Sequence, residues 1–380
     1  MRVFLAGLLA VSALAGPARA DIALSSNDAH TVLDNGAQVA PAEAPPDTLS
    51  VIDMAAFPPT VIATLNVPGS VVGPPMAVAV AKDESFAIVT SATKADTAGP
   101  GGISPNDQVS VIDLTMKPPQ VVQSLKAGAG AATVRISPDG SLALVANRFA
   151  GTLSVFTISD RRLTPAGTVM VGEKSMPSGI AFTADARTAL VTRNGDHMVQ
   201  VLNIDRAKVT LDNRQITTGL APYTIDVTTD GTLAAVGNMG RGDGDVDTVS
   251  LIDLIARPFR TVQTISVGRS PEGLKWSPDG KFLAIGAQEG TTKPADNLFR
   301  RDRGRLVIFA LADKQLKQVV EAPIGRWSQG IAFSRDGRTV LVQNMVERTI
   351  QVFRWDGTKL WGGTSLDIGA GPAAIMTAWP

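Results

Sequence analysis

The chain has 380 residues, 44% hydrophobic and 18% charged, with 35 basic and 35 acidic side chains. A balance this close to neutral supplies no global field for gathering nucleic acid, which argues against a nucleic-acid partner. With no cysteine in the sequence, disulfides, thiolate metal sites, covalent c-type haem and a cysteine nucleophile are excluded.

In chain order, the first segment stands apart from the rest. Arg2, an apolar run from Val3 to Leu14 and Ala18-Arg19-Ala20 before Asp21 have the form of a secretory signal peptide over 1–20. The run is too short to span ~30 Å of hydrocarbon, so a periplasmic or secreted protein without a membrane partner is expected. Removal of Arg2 and Arg19 leaves 33 basic against 35 acidic residues, a net charge of −2.

From residue 21 onward one pattern recurs. A Pro or small residue precedes an apolar strand, an Asp-Gly turn, a second apolar strand, a polar loop, and a third strand ending near Asp. The turn is Ser137-Pro138-Asp139-Gly140 and Ser277-Pro278-Asp279-Gly280, with weaker copies at Lys82-Asp83-Glu84, Ala184-Asp185-Ala186, Thr229-Asp230-Gly231 and Arg335-Asp336-Gly337. Strands begin at Pro75, Ala131, Pro177, Pro222, Pro271, Ser328 and Pro372. Four short strands every ~45 residues is the β-propeller count, so an all-β, seven-bladed propeller with four antiparallel strands per blade is predicted over 21–380. The last copy has only a first strand. Ile22–Asn27 supplies a second, and Leu49–Asp53 and Thr60–Ala63 a third and fourth, so the two ends should share a blade and close the ring.

Leu144-Val145-Ala146-Asn147, Leu190-Val191-Thr192-Arg193-Asn194, Ala235-Val236-Gly237-Asn238 and Leu341-Val342-Gln343-Asn344 resemble the motif of YVTN-type β-propeller repeats, as do the Val-x-Val-Ile-Asp strands. The aromatic first position of that motif is missing throughout. The resemblance covers essentially the whole chain after residue 20 and implies a lactonase-like or surface-layer-type propeller, leaving the activity open.

Tight Asp-Gly turns leave little room for chemistry on one face of the disc. The long insertions, Asp28–Asp47, Ala92–Asp107, Met239–Asp247 and Gln288–Arg303, share the other, so the site is expected there. The residue after each strand start (Met76, Ala132, Ser178, Tyr223, Glu272, Gln329, Ala373) and the ends of the second strands, Asn147, Arg193, Asn238 and Asn344 among them, should border the channel mouth. With Arg148, Arg241, Arg269 and Arg326 nearby, Tyr223, Gln329 and Asn344 are candidates for orienting a small polar or anionic ligand.

Three functions follow. One is a binding scaffold, expected to be monomeric, for a partner protein or small ligand at the insertion face. The second is a lactonase- or isomerase-like enzyme acting on a small carboxylate or sugar-derived substrate. It would use His197 as base, with Glu272 near it and Arg193 holding a carboxylate or developing oxyanion. The third is a non-catalytic propeller subunit of a periplasmic redox complex. No cofactor is required by these readings. Asp243-x-Asp245-x-Asp247 is a candidate calcium loop of hard oxygen ligands, although Thr248 and Leu254 stand where an EF-hand needs Gly and Glu. His30 sits in the N-terminal insertion, and Arg300–Arg305 is the densest basic cluster.

Overall fold

The computed structural model describes residues 21–378; residues 1–20, read above as a signal peptide, and 379–380 lie outside the described residues. Seven four-stranded antiparallel sheets form among them, with one small two-stranded hairpin. Blade one is built from Val78–Val80, Phe86–Ala95, Ile103–Asp113 and Gln120–Lys126. Five more blades follow in sequence, with first strands Ala131–Ile136, Pro177–Phe182, Pro222–Val227, Pro271–Trp276 and Ser328–Phe333. In blade seven the C-terminal strand Gly371–Thr377 lies innermost, beside Ile22–Asp28, Thr48–Asp53 and Thr60–Asn66. Leu24 is paired with Met376 on one side and Val51 on the other, the shared blade predicted from the split repeat.

Each blade buries its faces only against its neighbours. Leu251, Val249 and Ala235 of blade four pack on Leu274, Leu283 and Ile285 of blade five. Leu24, Leu49 and Val51 of blade seven pack on Val78, Val80 and Val89 of blade one, so the interfaces run around the ring and close it. The fourth strand Thr60–Asn66 alternates exposed and half-buried side chains along its length.

The Asp-Gly turns have one construction. In Ser137–Gly140 the Ser137 hydroxyl donates to Asp139 and accepts the Leu142 amide at 3.0 Å, while the Gly140 amide donates to the Ser137 carbonyl at 2.8 Å. The glycine has φ +73°, a region costly for residues with a Cβ.

The insertions are built onto the other face. Ala92–Asp107 extends the second and third strands of blade one into a longer hairpin, closed by a short 3₁₀ turn at Pro100–Gly102. The N-terminal insertion carries the small hairpin, Val32–Asp34 with Ala37–Val39. Its Ala40 amide donates to the Gly101 carbonyl of blade one at 2.8 Å, and its Asn35 Oδ1 accepts the Ala295 amide of the blade-five insertion at 2.8 Å. A strap therefore crosses the channel mouth. Leu33 of the strap packs on a buried cluster of Val71, Trp327, Met345 and Ala373.

Candidate functional site

The inner strands begin with a repeated distortion. Met176, Ala221, Ser270 and Trp327 have φ of 45°, 54°, 50° and 50°, each just before a first strand. Immediately after, the pairing of first and second strands shifts register, between Pro177 and Ile180, Pro222 and Ile225, Pro271 and Gly273, and Ser328 and Ile331. Such bulges re-aim side chains, and the residues inside them are Ser178, Tyr223, Glu272 and Gln329. Close packing of neighbouring inner strands accompanies this. A Cβ on Gly273 would lie 2.2 Å from the Gln329 carbonyl oxygen, so glycine is required there.

With Arg148 from blade two, five blades thus meet in one polar cluster. Glu272 is 4% exposed, and its Oε2 accepts bonds from Gln288 Nε2 and, at 3.1 Å, from Gln329 Nε2. Burial pushes the Glu272 carboxyl up to about 8, only partly offset by these amides and by the charge of Arg148. Arg148 donates to Ser178 Oγ and to Asn194 Oδ1 (2.8 Å), and its guanidinium lies 5.3 Å from the centre of the Tyr223 ring. Burial also pushes the Tyr223 hydroxyl above its ordinary value, which keeps it a donor at neutral pH. Gln329 Oε1 is a buried acceptor without a hydrogen-bond partner among the described residues, directly beside Glu272.

The other candidate residues lie elsewhere on this face. Arg193 pairs with Asp196 (Nε to Oδ1 3.0 Å), and His197 Nδ1 accepts the Ala221 amide at 3.2 Å. Among the described residues no hydrogen bond joins either of them to Glu272. Arg269 donates to the Gly244 carbonyl at 2.8 Å and stacks near Phe299, and Arg326 pairs with Glu347 at 2.8 Å. Arg241 is exposed. Asn344 Oδ1 accepts the Gly325 amide at 2.9 Å. Asn147 and Asn238 turn away from the mouth and tie second strands to third, through Thr152 and Ser154 in one blade and Thr248 and Ser250 in another. Gln288 and Asn194 joined the cluster without a sequence signal, because loop geometry alone brings them in. Arg300 and Arg301 donate to carbonyls of their own loop, and Arg305 pairs with Glu289 and Glu321.

Asp243 and Asp245 are exposed while Asp247 is buried and accepts the Ser270 amide at 2.8 Å. Burial first, then the charges of Asp243 and Asp245, push Asp247 up to about 6, against the pull of the Ser270 amide and Arg269. These three carboxylates do not draw together as a ligand set. Among the described residues the group whose ligand atoms all lie within 4.8 Å of one another is Asp28, His30 and Asp47. His30 Nδ1 lies 2.9 Å from Asp47 Oδ1 and 3.1 Å from Asp28 Oδ1. The carboxylates also accept backbone amides, Thr31 and Val71 on Asp28, and Ala29, His30 and Gly69 on Asp47. With oxygens and imidazole so engaged, the trio clamps the base of the strap rather than presenting open metal-binding positions.

The turn face is not as closed as short turns suggest. A cavity of about 370 Å³ opens there, against about 180, 250 and 60 Å³ for three cavities among the insertions. The turns are tight, but they stand at the rim, and the ends of the inner strands leave the axis open between them.

Over residues 106–222 the chain matches the family model "Lactonase, 7-bladed beta-propeller". None of the curated proteins matches it. Among solved structures it is similar to a candidate 6-phosphogluconolactonase from Bacteroides uniformis, at 16% identity and a TM-score of 0.71, covering 94% of this chain and 99% of that one. A periplasmic gluconolactonase from Pseudomonas aeruginosa is similar at 19% identity and TM-score 0.66, covering 95% and 99%. Hydrazine synthase from Kuenenia stuttgartiensis is similar at 17% identity and TM-score 0.63, covering 82% and 91%. No helix among the described residues is long and apolar enough to cross a membrane. At these identities the likenesses establish the fold alone, a seven-bladed propeller.

Proposed function

We propose that the protein hydrolyses a small sugar-acid lactone in the periplasm, at the Arg148–Tyr223–Glu272 cluster. The observation that supports this most is Glu272 itself, a buried carboxyl held between Gln288 and Gln329 and pushed up to about 8. A base poised near the working pH is what general-base catalysis needs. In this reading ionised Glu272 takes a proton from water, and the water oxygen attacks the lactone carbonyl. Arg148 and the Tyr223 hydroxyl face the oxyanion that develops. Collapse breaks the ring C–O bond, and Glu272 returns the proton to the leaving alkoxide. Gln288 and Gln329 hold the carboxyl in place, and the free Gln329 Oε1 is an acceptor for a substrate hydroxyl or the attacking water. The lactonase-type family match and the two lactonase-named structures support the reaction class; the signal-like segment supports the address.

Hydrolysis of glucono-δ-lactone above the spontaneous rate tests the proposal. Glu272→Gln should lower kcat about 100-fold or more, and Arg148→Met about 10- to 100-fold, with melting preserved. A wild-type protein without activity on this or related aldonolactones, or a Glu272→Gln protein with the wild-type rate, overturns it.

A further inference from the structure

The turn-face cavity has features the hydrolytic reading does not use. Its wall is largely apolar, with Val80, Phe86, Phe182 and Met376 among its residues, and Arg135 and Asp226 interrupt it. Arg135 is half-buried, and burial pulls its guanidinium down to about 10, so it remains charged at neutral pH. One of its amino nitrogens, Nη1, donates to the carbonyls of Val134 (3.0 Å), Val78 (3.3 Å) and Met76 (3.4 Å). Those carbonyls fix its position without neutralising it. Its Nε and Nη2 have no hydrogen-bond partner among the described residues, and no carboxylate there lies within ion-pair distance of it.

The nearest acid is already committed. Asp226 is 4% exposed, pairs with Lys275 Nζ at 3.2 Å and accepts the Trp276 amide at 3.0 Å. Asp226 thus serves two cations, pairing with Lys275 and attracting Arg135 from beyond ion-pair distance. At the solvent rim lie exposed Lys82, Asp83 and Asp139, the last engaged by Ser137 and Ser141. A half-buried guanidinium with one unused N–H edge in a largely apolar wall is favourably completed by an anion.

We propose that this cavity is a second ligand site, on the opposite face from the lactone site, for a small monocarboxylate with an apolar body. The unused Nε and Nη2 edge of Arg135 matches the two oxygens of one carboxylate. A phosphate dianion would leave one charge uncompensated in an apolar wall, so it fits less well. At ~30 Å³ per water the volume equals roughly a dozen waters, room for an acid of about ten heavy atoms. Sequence alone does not reveal this site, because its parts, Arg135, Asp226 and Lys275, are single polar residues inside three separate inner strands.

Calorimetric titration of the full chain at pH 7.5 with octanoate, 1-octanol and octylammonium tests it. Octanoate should bind at least about tenfold tighter than 1-octanol, and octylammonium more weakly than either. Arg135→Met should bring octanoate down to the 1-octanol affinity, Arg135→Lys should fall between, and Arg148→Met should leave octanoate binding unchanged. The wild-type ratio needs no variant, so misfolding of Arg135→Met would not protect the proposal. Equal affinity for acid and alcohol overturns it, as does loss of octanoate binding in Arg148→Met but not in Arg135→Met. Lactone hydrolysis should be unchanged in Arg135→Met, so either site can fail without the other.

Discussion

Ala186 shows how a single backbone position reports on the repeat. In the turns at 140, 231, 280 and 337 the left-handed residue is glycine; in blade three it is alanine, at φ +57°. The surrounding bonds are unchanged, with Thr183 Oγ1 donating to Asp185 and the Arg187 amide donating to it at 3.1 Å. The Thr183 hydroxyl holds the Asp185 carboxyl below its usual range. The turn chemistry therefore survives while the Cβ is strained. Ala186→Gly is expected to raise stability by about 0.5–1 kcal/mol, the relief of the left-handed Cβ less the entropy of a freer unfolded chain, checked by urea titration. At this scale the sequence was informative where chemistry is local. Asp-Gly turns could be seen because hydroxyl, carboxylate and φ requirement fall within four residues. Tyr223, Glu272 and Gln329 could be placed at the mouth because each follows a strand start. That Arg148, rather than Arg193, would join them could not be read, since it depends on how two loops fold over each other.

Elements are joined by contacts that sequence spacing hides. His30 lies 17 residues from Asp47, yet the two meet with Asp28 to hold the strap and the Gly69–Val71 crossing together. Burial alone would push the His30 imidazole down, but the hydrogen bond to Asp47 and the charge of Asp28 outweigh it and hold the pKa above the ordinary 6.5. A raised folded pKa contributes stability that is fully present below the unfolded value and lost as pH rises through the folded one. Glu272, raised to about 8, acts in the same direction: the folded state holds a proton that the unfolded state releases above 4.5. Melting temperature should therefore fall from about pH 6 to pH 9. In His30→Gln that slope should become shallower and the protein less stable at pH 6. An unchanged slope would mean that Asp28 and Asp47 do not hold the His30 proton in the folded state.

The whole molecule is a ring whose last strand is also its innermost. Without Gly371–Thr377, Leu24 loses Met376 as a partner, and the Ala23, Ile52, Ala332, Ile375 cluster that seals blade seven to blade six is opened. A chain ending before Gly371 should aggregate or unfold; a truncated monomer with unchanged melting would contradict ring closure. Blade count and closure were legible because they follow from repeat arithmetic. The expected closed turn face was not, because channel width is set by how seven inner strands converge, which no single repeat records. The same convergence places Glu272 at one end of the axis and Arg135 at the other.

In the proposed reaction Glu272 acts as a base with a shifted pKa. The direct measurement is the pH dependence of kcat for glucono-δ-lactone, corrected for spontaneous hydrolysis. The prediction is a rate that rises with pH through about 8 as Glu272 ionises, and the loss of that limb in Glu272→Gln. A flat profile, or a limb near the ordinary carboxylate range, would contradict it.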